Sequence, residues 1–217
     1  GGESMMEILS RLATGIPLPV AVTAGALAIG LLLSIPWVIA LRSSSRIARG
    51  FVNAVIDILR GIPILVWLFI LYFGISIGTF TFQPLTAAII TLGVVASAYL
   101  AEVFRTALAA VPRHQWQSAE ALGLNRADTY LRVILPQAAS IALPSATTFT
   151  LALLKDSAIP SVIGVSEIAY VTTEIAREGT ALPAYVSAVI LYVILSLPLA
   201  LLARYASARL NERMVAV

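Results

Sequence analysis

The chain has 217 residues, of which 59% are hydrophobic and only 12% are charged, and its formal net charge is +3 at pH 7. A soluble domain carries about a quarter charged residues, so this composition excludes an ordinary soluble globular protein. Cysteine is absent and His114 is the only histidine. Disulfides, cysteine-based redox centres and histidine-rich metal sites are therefore excluded, and no metal ligands are expected.

The charges are clustered and leave long uncharged stretches between them. Because about 20 mainly apolar residues are enough to cross a bilayer, these stretches predict five transmembrane helices, at 17–41, 58–77, 84–108, 138–160 and 183–205. The first stretch is too long for the hydrophobic region of a signal peptide. We expect an N-terminal segment over 1–16, whose first four residues are typical of a cloning remnant, a membrane domain over 17–205 and a tail over 206–217.

The arginines are concentrated in alternate loops. Three loops are basic, and they contain Arg42, Arg46, Arg49, Arg113, Arg126, Arg132, Arg204, Arg209 and Arg213. The opposite side has only Arg11 and Arg177, and its last loop is acidic, with Glu167, Glu174 and Glu178. Since cytoplasmic loops accumulate Lys and Arg, this bias predicts an N-terminus outside the membrane and a C-terminus in the cytoplasm. It also accounts for the net charge without a nucleic-acid partner.

The loop over 111–136 is longer and more patterned than a simple link. Residues 115–122 are strong helix formers with no breaker, and Gly123 then stops the helix, as glycine does at a C′ position. Asn125 predicts the N-cap of a second short helix, and Pro136 marks the turn into the fourth membrane helix. Spacing alone leaves two interpretations open: an amphipathic helix resting on the bilayer, or a docking surface for a soluble partner.

This loop resembles the cytoplasmic EAA loop of ABC importer permeases, in which a Glu-Ala-Ala triplet, a glycine and a terminal Ile-x-Leu-Pro recur. The match is Gln117-Ser118-Ala119, Gly123 and Val-Ile-Leu-Pro at 133–136. Gln117 and Ser118 replace the usual Glu and Ala. Glutamine keeps the hydrogen-bonding capacity of glutamate and drops its charge.

Four further segments, in the order of the family, extend the resemblance over about residues 15–210. They resemble the polar amino-acid branch of these permeases, and they are RGIPILV at 60–66, AYLAEVFR at 98–105, LLKDS at 153–157 and VIGV at 162–165. Ser157-Ala158 departs from the Thr-Ser that relatives tend to have.

The resemblance implies an all-α integral membrane protein of the type I ABC importer permease kind, with five transmembrane helices and a cytoplasmic coupling helix. It implies a bacterial inner-membrane location and two permease subunits, identical or paralogous, each on one subunit of an ATPase dimer. A periplasmic or lipid-anchored binding protein would deliver a polar amino acid or derivative. The residues that would couple to the ATPase are Gln117, Ser118, Ala119, Glu120, Ala121, Leu122 and Gly123.

The chain itself is not expected to be an enzyme or to bind a cofactor. No segment matches the Gly-x4-Gly-Lys-Ser/Thr phosphate-binding loop, and Lys155 is the only lysine. By resemblance, ATP and magnesium belong to the partner ATPase. The rival functions are an intramembrane enzyme, a channel and an ATP-independent secondary transporter. No catalytic constellation or filter-like loop is visible in a predicted helix, and stable association with an ATPase would separate the importer from these rivals.

Ionisable groups at membrane depth cost roughly 2.5–3.5 kcal/mol each on insertion scales, so they are the first candidates for solute contact. Lys155 and Asp156 follow a long uncharged run and would point about 100° apart on a helix. The pair therefore offers a cation and an anion to a zwitterionic amino acid. The alternative is that both extend to the outer interface or pair with Glu102 or Glu167.

A second group of candidates lies in the third predicted helix. Glu102 and Arg105 are three residues apart and are spaced to pair, which favours a structural or gating ion pair over direct solute contact. Tyr99 lies one turn away and would line the same face, although lipid or helix packing is an equal alternative. Arg60, at the start of the second helix, is interpreted as an interfacial anchor.

Overall fold

The computed structural model describes residues 4–75 and 81–215, which form helices and turns with no strand. The α-helices of these residues are α1 Met5–Ala13, α2 Pro17–Leu41, α3 Arg46–Gly61, α4 Ile64–Phe69, α5 Pro84–Ala110, α6 Arg113–Ala121, α7 Arg126–Asp128, α8 Leu135–Asp156, α9 Ile168–Ile175 and α10 Ala181–Val215. π-Helical turns follow α4, α7 and α9, at Ile70–Gly74, Thr129–Ile134 and Ala176–Thr180. A 3₁₀ turn, Ile159–Ile163, follows α8.

Four helical stretches are long and apolar enough to span a membrane: Met5–Leu41, Pro84–Ala110, Arg126–Ile163 and Ile168–Tyr205. The bent pair Arg46–Gly61 and Ile64–Gly74 makes a fifth if it is counted as one span. The prediction of an all-helical membrane fold with five spans is confirmed on this count.

Most predicted helix bounds agree with the structure to within a few residues. α2 has the predicted bounds, and α8 begins earlier than predicted, at Leu135, and ends at Asp156 ahead of the turn that contains Pro160. α10 continues to Val215, so the expected tail from residue 206 is an extension of this helix over the described residues. Residues 1–3 of the expected cloning remnant and the end of the tail at 216–217 lie outside the described ranges.

The single helix predicted over 58–77 is wrong, because the chain bends sharply inside it. α3 ends at Gly61 and α4 begins at Ile64, with a bend of 97° between α3 and the stretch Ile64–Gly74. Pro63 has no N–H and disfavours helical backbone at the residue before it. Ile62 is accordingly extended, with φ −96° and ψ 134°. The predicted end at residue 77 lies outside the described residues.

The closest helix pair in the bundle is α2 with α5, where small residues allow the backbones to approach. A Cβ added to Gly93 would lie 2.7 Å from Cβ of Ile29 and 3.2 Å from the carbonyl oxygen of Ala26. Small residues serve the same purpose in membrane helix packing generally. The main core around this contact contains Val22, Ala26, Leu68, Ala87, Ala88, Leu92, Ala96, Leu153, Ile163 and Val165.

The N-terminal segment contains a helix that packs on the C-terminal half of the chain. Ser4 and Glu7 form a capping box at the start of α1, which fixes the beginning of this helix. Arg11 pairs with Glu178 at 2.6 Å. The apolar face of α1 completes a second core cluster, formed by Ile8, Leu12, Ile168, Ile175, Ala184 and Ala188.

Candidate coupling surface and solute-contact residues

α6 is the predicted loop helix, and it ends at the predicted glycine. Gly123 has a left-handed φ of +73°, a conformation that glycine adopts without a Cβ clash. The N–H of Gly123 donates to the carbonyl of Glu120 at 2.9 Å, and the N–H of Leu124 donates to the carbonyl of Ala119 at 3.1 Å. These two bonds form a Schellman motif, so the predicted stop at Gly123 is confirmed.

Most of α6 and its end faces away from the protein. Ala119 is 2% exposed and anchors the helix, whereas Leu122 is 78% exposed at its tip. The other predicted coupling residues are all exposed: Gln117, Ser118, Glu120, Ala121 and Gly123. The predicted coupling residues other than Ala119 therefore lie on an accessible surface, with Leu122 as its one large apolar side chain.

The second helix of the loop begins where predicted and then merges with α8. Asn125 is the N-cap of α7, and its Oδ1 accepts from the N–H of Asp128 at 2.9 Å. α7 is only three residues long and continues through the π turn into α8. Pro136 lies in the first turn of α8, where a missing N–H is tolerated. The loop helix α6 is therefore followed by one continuous helical segment, which runs from Arg126 to Asp156.

Arg42, at the end of α2, anchors α6 to the membrane bundle. Its guanidinium carbon lies 5.7 Å from the ring centre of Trp116 in α6 and 5.5 Å from that of Tyr130. Nη2 of Arg42 also donates to the hydroxyl of Tyr130 at 2.8 Å. The two rings meet edge to face with centres 5.0 Å apart. Cation–π contacts and the hydrogen bond together connect three segments of the chain.

A side-chain amide bridge adds a second connection between α6 and α8. Nε2 of Gln137 donates to Oε1 of Gln115 at 3.1 Å and to the carbonyl of Val133 at 2.9 Å. Gln115 lies in α6 and Gln137 in the first turns of α8. α6 is therefore connected to α2 through Arg42 and to α8 through Gln137.

Tyr99 lies in a group of aromatic and cationic side chains on α3, α5 and α8. Its ring stacks on Phe149 of α8, with centres 5.3 Å apart and planes 21° apart. The guanidinium carbon of Arg60 lies 5.0 Å from the centre of the Tyr99 ring. Arg60 of α3 therefore contributes a cation next to Tyr99. This contact goes beyond the interfacial anchor that the sequence predicts for Arg60.

Glu102 and Arg105 pair as their spacing predicts. Nε of Arg105 donates to Oε2 of Glu102 at 2.8 Å, and Nη2 donates to Oε1. Arg60 is close enough to interact electrostatically with the same carboxylate. Glu102 also lines a groove of about 210 Å³ between α5 and α8, together with Thr106 and Ser145. The pair therefore borders a partly polar opening between two membrane helices.

Lys155 and Asp156 lie apart from this group, in the last turn of α8. Lys155 is exposed and Asp156 is half-buried, and within the described residues neither forms an ion pair. Phe149, which contacts Tyr99, precedes Lys155 by six residues, or about 9 Å of helical rise. The structure therefore does not bring the predicted solute-contact residues into one site. It places them at two levels of the bundle.

Two contributors were missed by reasoning from the sequence. The sequence predicts Arg42 only as a topology signal, and Arg60, at the start of the second predicted helix, only as an interfacial anchor. Arg42 follows α2 and Arg60 lies in the last turn of α3. Nothing in the local sequence indicates which distant ring each arginine contacts. Along the sequence, Trp116 and Tyr130 are 74 or more residues from Arg42, and Tyr99 is 39 residues from Arg60.

An apolar helical bundle with several spans and one capped, exposed loop helix defines a multi-pass membrane protein. Residues 26–215 match the family described as "Binding-protein-dependent transport system inner membrane component". The chain belongs to this family, and it is a component of a membrane transport system.

Relatives and solved structures agree with this assignment. The chain is 30% identical to the L-cystine transport system permease protein TcyB of Bacillus subtilis (strain 168), over 97% of this chain and 89% of that protein. It is 32% identical to the arginine ABC transporter permease protein ArtQ of Escherichia coli (strain K12), over 93% and 94%. A crystal structure of an amino acid ABC transporter with histidines contains a chain with a TM-score of 0.84 and 27% identity, covering 94% of this chain and 96% of that one.

Proposed function

We propose that this chain is the permease subunit of an ATP-driven bacterial importer for polar amino acids or their derivatives. The observation that carries the proposal is the exposed α6 surface, Gln117–Gly123 in sequence, on a chain that belongs to a binding-protein-dependent transport family. Relatives described as permeases for L-cystine and arginine support an amino-acid cargo. ATP and magnesium would bind to a separate ATPase subunit, since this chain has no phosphate-binding loop.

In this proposal α6 docks on the ATPase and moves with it. Leu122 would enter an apolar depression, and Gln117 and Glu120 would make polar contacts around it. The motion reaches the spans through two connections, Arg42 to α2 and Gln137 to α8. Two permease subunits, identical or paralogous, would enclose the pathway between them, and an external binding protein would deliver the solute.

The proposed orientation places the N-terminus outside and the C-terminus in the cytoplasm of the inner membrane. The arginine distribution supports it, because the loops that contain Arg42 and α6 lie at the same end of the spans and are the basic ones. α6 would then face the compartment that contains ATP.

Lys155 and Asp156 are the proposed solute contacts nearest the outer end of the pathway. Their lack of an ion pair among the described residues leaves a cation and an anion free to receive a zwitterion. Tyr99, Glu102 and Arg105 would form a second level deeper in the bundle, where the ion pair acts as a gate or contacts the passing solute.

Co-purification tests the assembly. The complex would be extracted from its native membrane in mild detergent, and its ATPase activity and subunits would be identified. An ATP-hydrolysing partner that is lost when Leu122 is changed to Asp supports the proposal, and the exposed Leu182→Asp is a control for added charge elsewhere. A stable, folded chain that transports solute with no ATPase would contradict it in favour of a secondary transporter or channel.

Uptake by the assembled complex tests the solute contacts. Lys155→Ala and Asp156→Ala are expected to reduce uptake while leaving the ATPase bound. The matched control is the outer surface pair Arg177→Ala and Glu174→Ala, which removes one cation and one anion that bind each other at 3.1 Å. Full uptake by both Lys155 and Asp156 variants would refute their assignment without affecting the rest of the proposal.

A further inference from the structure

A second cavity among the described residues lies on the flank of the bundle, next to α2. It is a groove of about 450 Å³ formed by α2, α5, the π turn before α8 and α8 itself. Its size is in the range of ligand pockets, roughly 300–1,000 Å³. Its lining is apolar apart from Arg42 and the hydroxyl of Tyr130, which favours an apolar occupant with one anionic group over a polar amino acid.

The position of the groove fits the acyl chain of a lipid. Ile35 and Ile39 form its rim on α2 and are 55% and 67% exposed. From Ile35 to Arg42 the helix rises about 10 Å at 1.5 Å per residue, which is about two-thirds of one leaflet of a hydrocarbon core roughly 30 Å thick. Arg42 follows the last residue of α2, so it lies at the level where acyl chains end and headgroups begin.

Arg42 supplies the charge that selects the headgroup. A guanidinium has five N–H donors, and within the described residues Arg42 uses one of them, in the bond to Tyr130. The rings of Trp116 and Tyr130 hold the guanidinium in place, while the side chain remains exposed. A positioned, accessible guanidinium binds phosphate through two parallel hydrogen bonds. Basic pockets between membrane helices are the sites where anionic lipids bind.

We propose that this groove binds one anionic phospholipid, with an acyl chain between Ile39, Phe104 and Ala139 and its phosphate on Arg42. The proposed orientation places this lipid in the cytoplasmic leaflet. Because Trp116 of α6 holds the same guanidinium, the headgroup would lie next to the helix that couples the chain to its ATPase. A bound lipid would therefore affect the contact between Arg42 and Trp116, which holds α6 against the bundle.

Native mass spectrometry of the delipidated complex tests this proposal, with phosphatidylglycerol and phosphatidylcholine as probes. The expected result is retention of phosphatidylglycerol and little phosphatidylcholine. Arg42→Gln should weaken phosphatidylglycerol retention roughly tenfold, the effect of losing one charge-assisted contact. Arg46→Gln, a change of an exposed cation in the same loop region, is the control and should change it less than about twofold.

A second variant tests the acyl-chain site with Arg42 intact. Ala139→Trp fills the groove from α8 and should weaken phosphatidylglycerol retention to a similar extent. Leu143→Trp is the control, because it adds bulk one turn further along α8 at an exposed position outside the groove. Equal retention of both lipids, or undiminished retention by Ala139→Trp, would overturn the proposal. Neither result bears on whether an ATPase co-purifies, so the importer assignment is tested separately.

Discussion

The hydroxyl of Tyr192 in α10 donates a 2.6 Å hydrogen bond to Oε2 of Glu167, the N-cap residue of α9. Oε1 of the same carboxylate accepts from the N–H of Tyr170 at 2.9 Å. Glu167 is fully buried, although its sequence context places it in an acidic outer loop. The carboxylate thus joins the start of α9 to α10 beside the second core cluster.

Removal of the Tyr192 hydroxyl is expected to destabilise this junction. Tyr192→Phe leaves a buried carboxylate oxygen without its donor, at a cost of about 1–3 kcal/mol in the free energy of unfolding. The measurement is thermal or denaturant unfolding in detergent. Tyr185→Phe is the matched control, because Tyr185 is 51% exposed on the same helix. Equal stability of both variants and the wild type would show that the bond contributes nothing.

The same carboxylate predicts a pH dependence of stability. Burial raises the pKa of Glu167 above its ordinary 4.5, against the opposing effect of the bonds from Tyr192 and the backbone. Since the folded state binds this proton more tightly than the unfolded state, stability is greatest below the ordinary pKa and falls as pH rises through the folded-state pKa. Glu167→Gln should flatten this slope in unfolding curves recorded at successive pH values. An unchanged slope would assign the dependence to other groups.

The close contact of α2 and α5 predicts that Gly93 tolerates no side chain. The Cβ of Gly93→Ala would lie 2.7 Å from Cβ of Ile29, and such overpacking typically costs about 1–3 kcal/mol. The expected result is a lower unfolding temperature of the purified chain. Gly74→Ala is the control, because a Cβ there meets nothing within 4 Å. A Gly93→Ala protein as stable as the control would mean that the two helices separate without cost.

The left-handed residue at the end of α6 predicts a local effect on coupling. Gly123→Ala meets no neighbouring atom, so its cost is conformational, about 1–2 kcal/mol. We expect α6 to fray at Leu122 and solute-stimulated ATPase activity to fall, while Gly123→Asn retains more activity because asparagine tolerates this conformation. Gly50→Ala, in the interior of α3 with nothing near its Cβ, should leave stimulation unchanged. Full stimulation of the ATPase activity in Gly123→Ala would show that coupling does not need the helix cap at Gly123.

The rings of Trp116 and Tyr130 form an aromatic clamp on Arg42. We expect the ring contacts to contribute more to coupling than the Arg42–Tyr130 hydrogen bond does. Trp116→Leu removes a cation–π contact and an edge-to-face contact, whereas Tyr130→Phe removes only a hydroxyl that contributes about 0.5–1.5 kcal/mol. The ratio of uptake to ATP hydrolysis should therefore fall further in Trp116→Leu. The reverse order would identify the Arg42–Tyr130 hydrogen bond as the main connection.

The spans and the loop helix were predictable because their signals are local. Long uncharged stretches specify membrane helices whatever they pack against, and the helix formers before Gly123 specify α6 and its cap. Even the break at Ile62 has a local cause, because Pro63 disfavours helical backbone at the residue before it.

The parts that could not be predicted depend on contacts between distant segments. The burial of Glu167 requires α1, α9 and α10 to pack together, which no local pattern in the sequence indicates. The clamp on Arg42 and the approach of Arg60 to Tyr99 likewise depend on tertiary arrangement. The roles of Lys155 and Asp156 in solute contact stay predictions.

The bend before Ile64 limits how much of the hydrocarbon core this part of the chain can cover. The stretch Ile64–Gly74 has eleven residues and rises about 16 Å at 1.5 Å per residue, roughly half of a 30 Å hydrocarbon core. α3, turned by 97°, cannot supply the missing length in the same direction. Along the direction of Ile64–Gly74 the bent pair therefore covers about half of the hydrocarbon core, whereas α2 and α5, with 25 and 27 residues, are long enough to cross it.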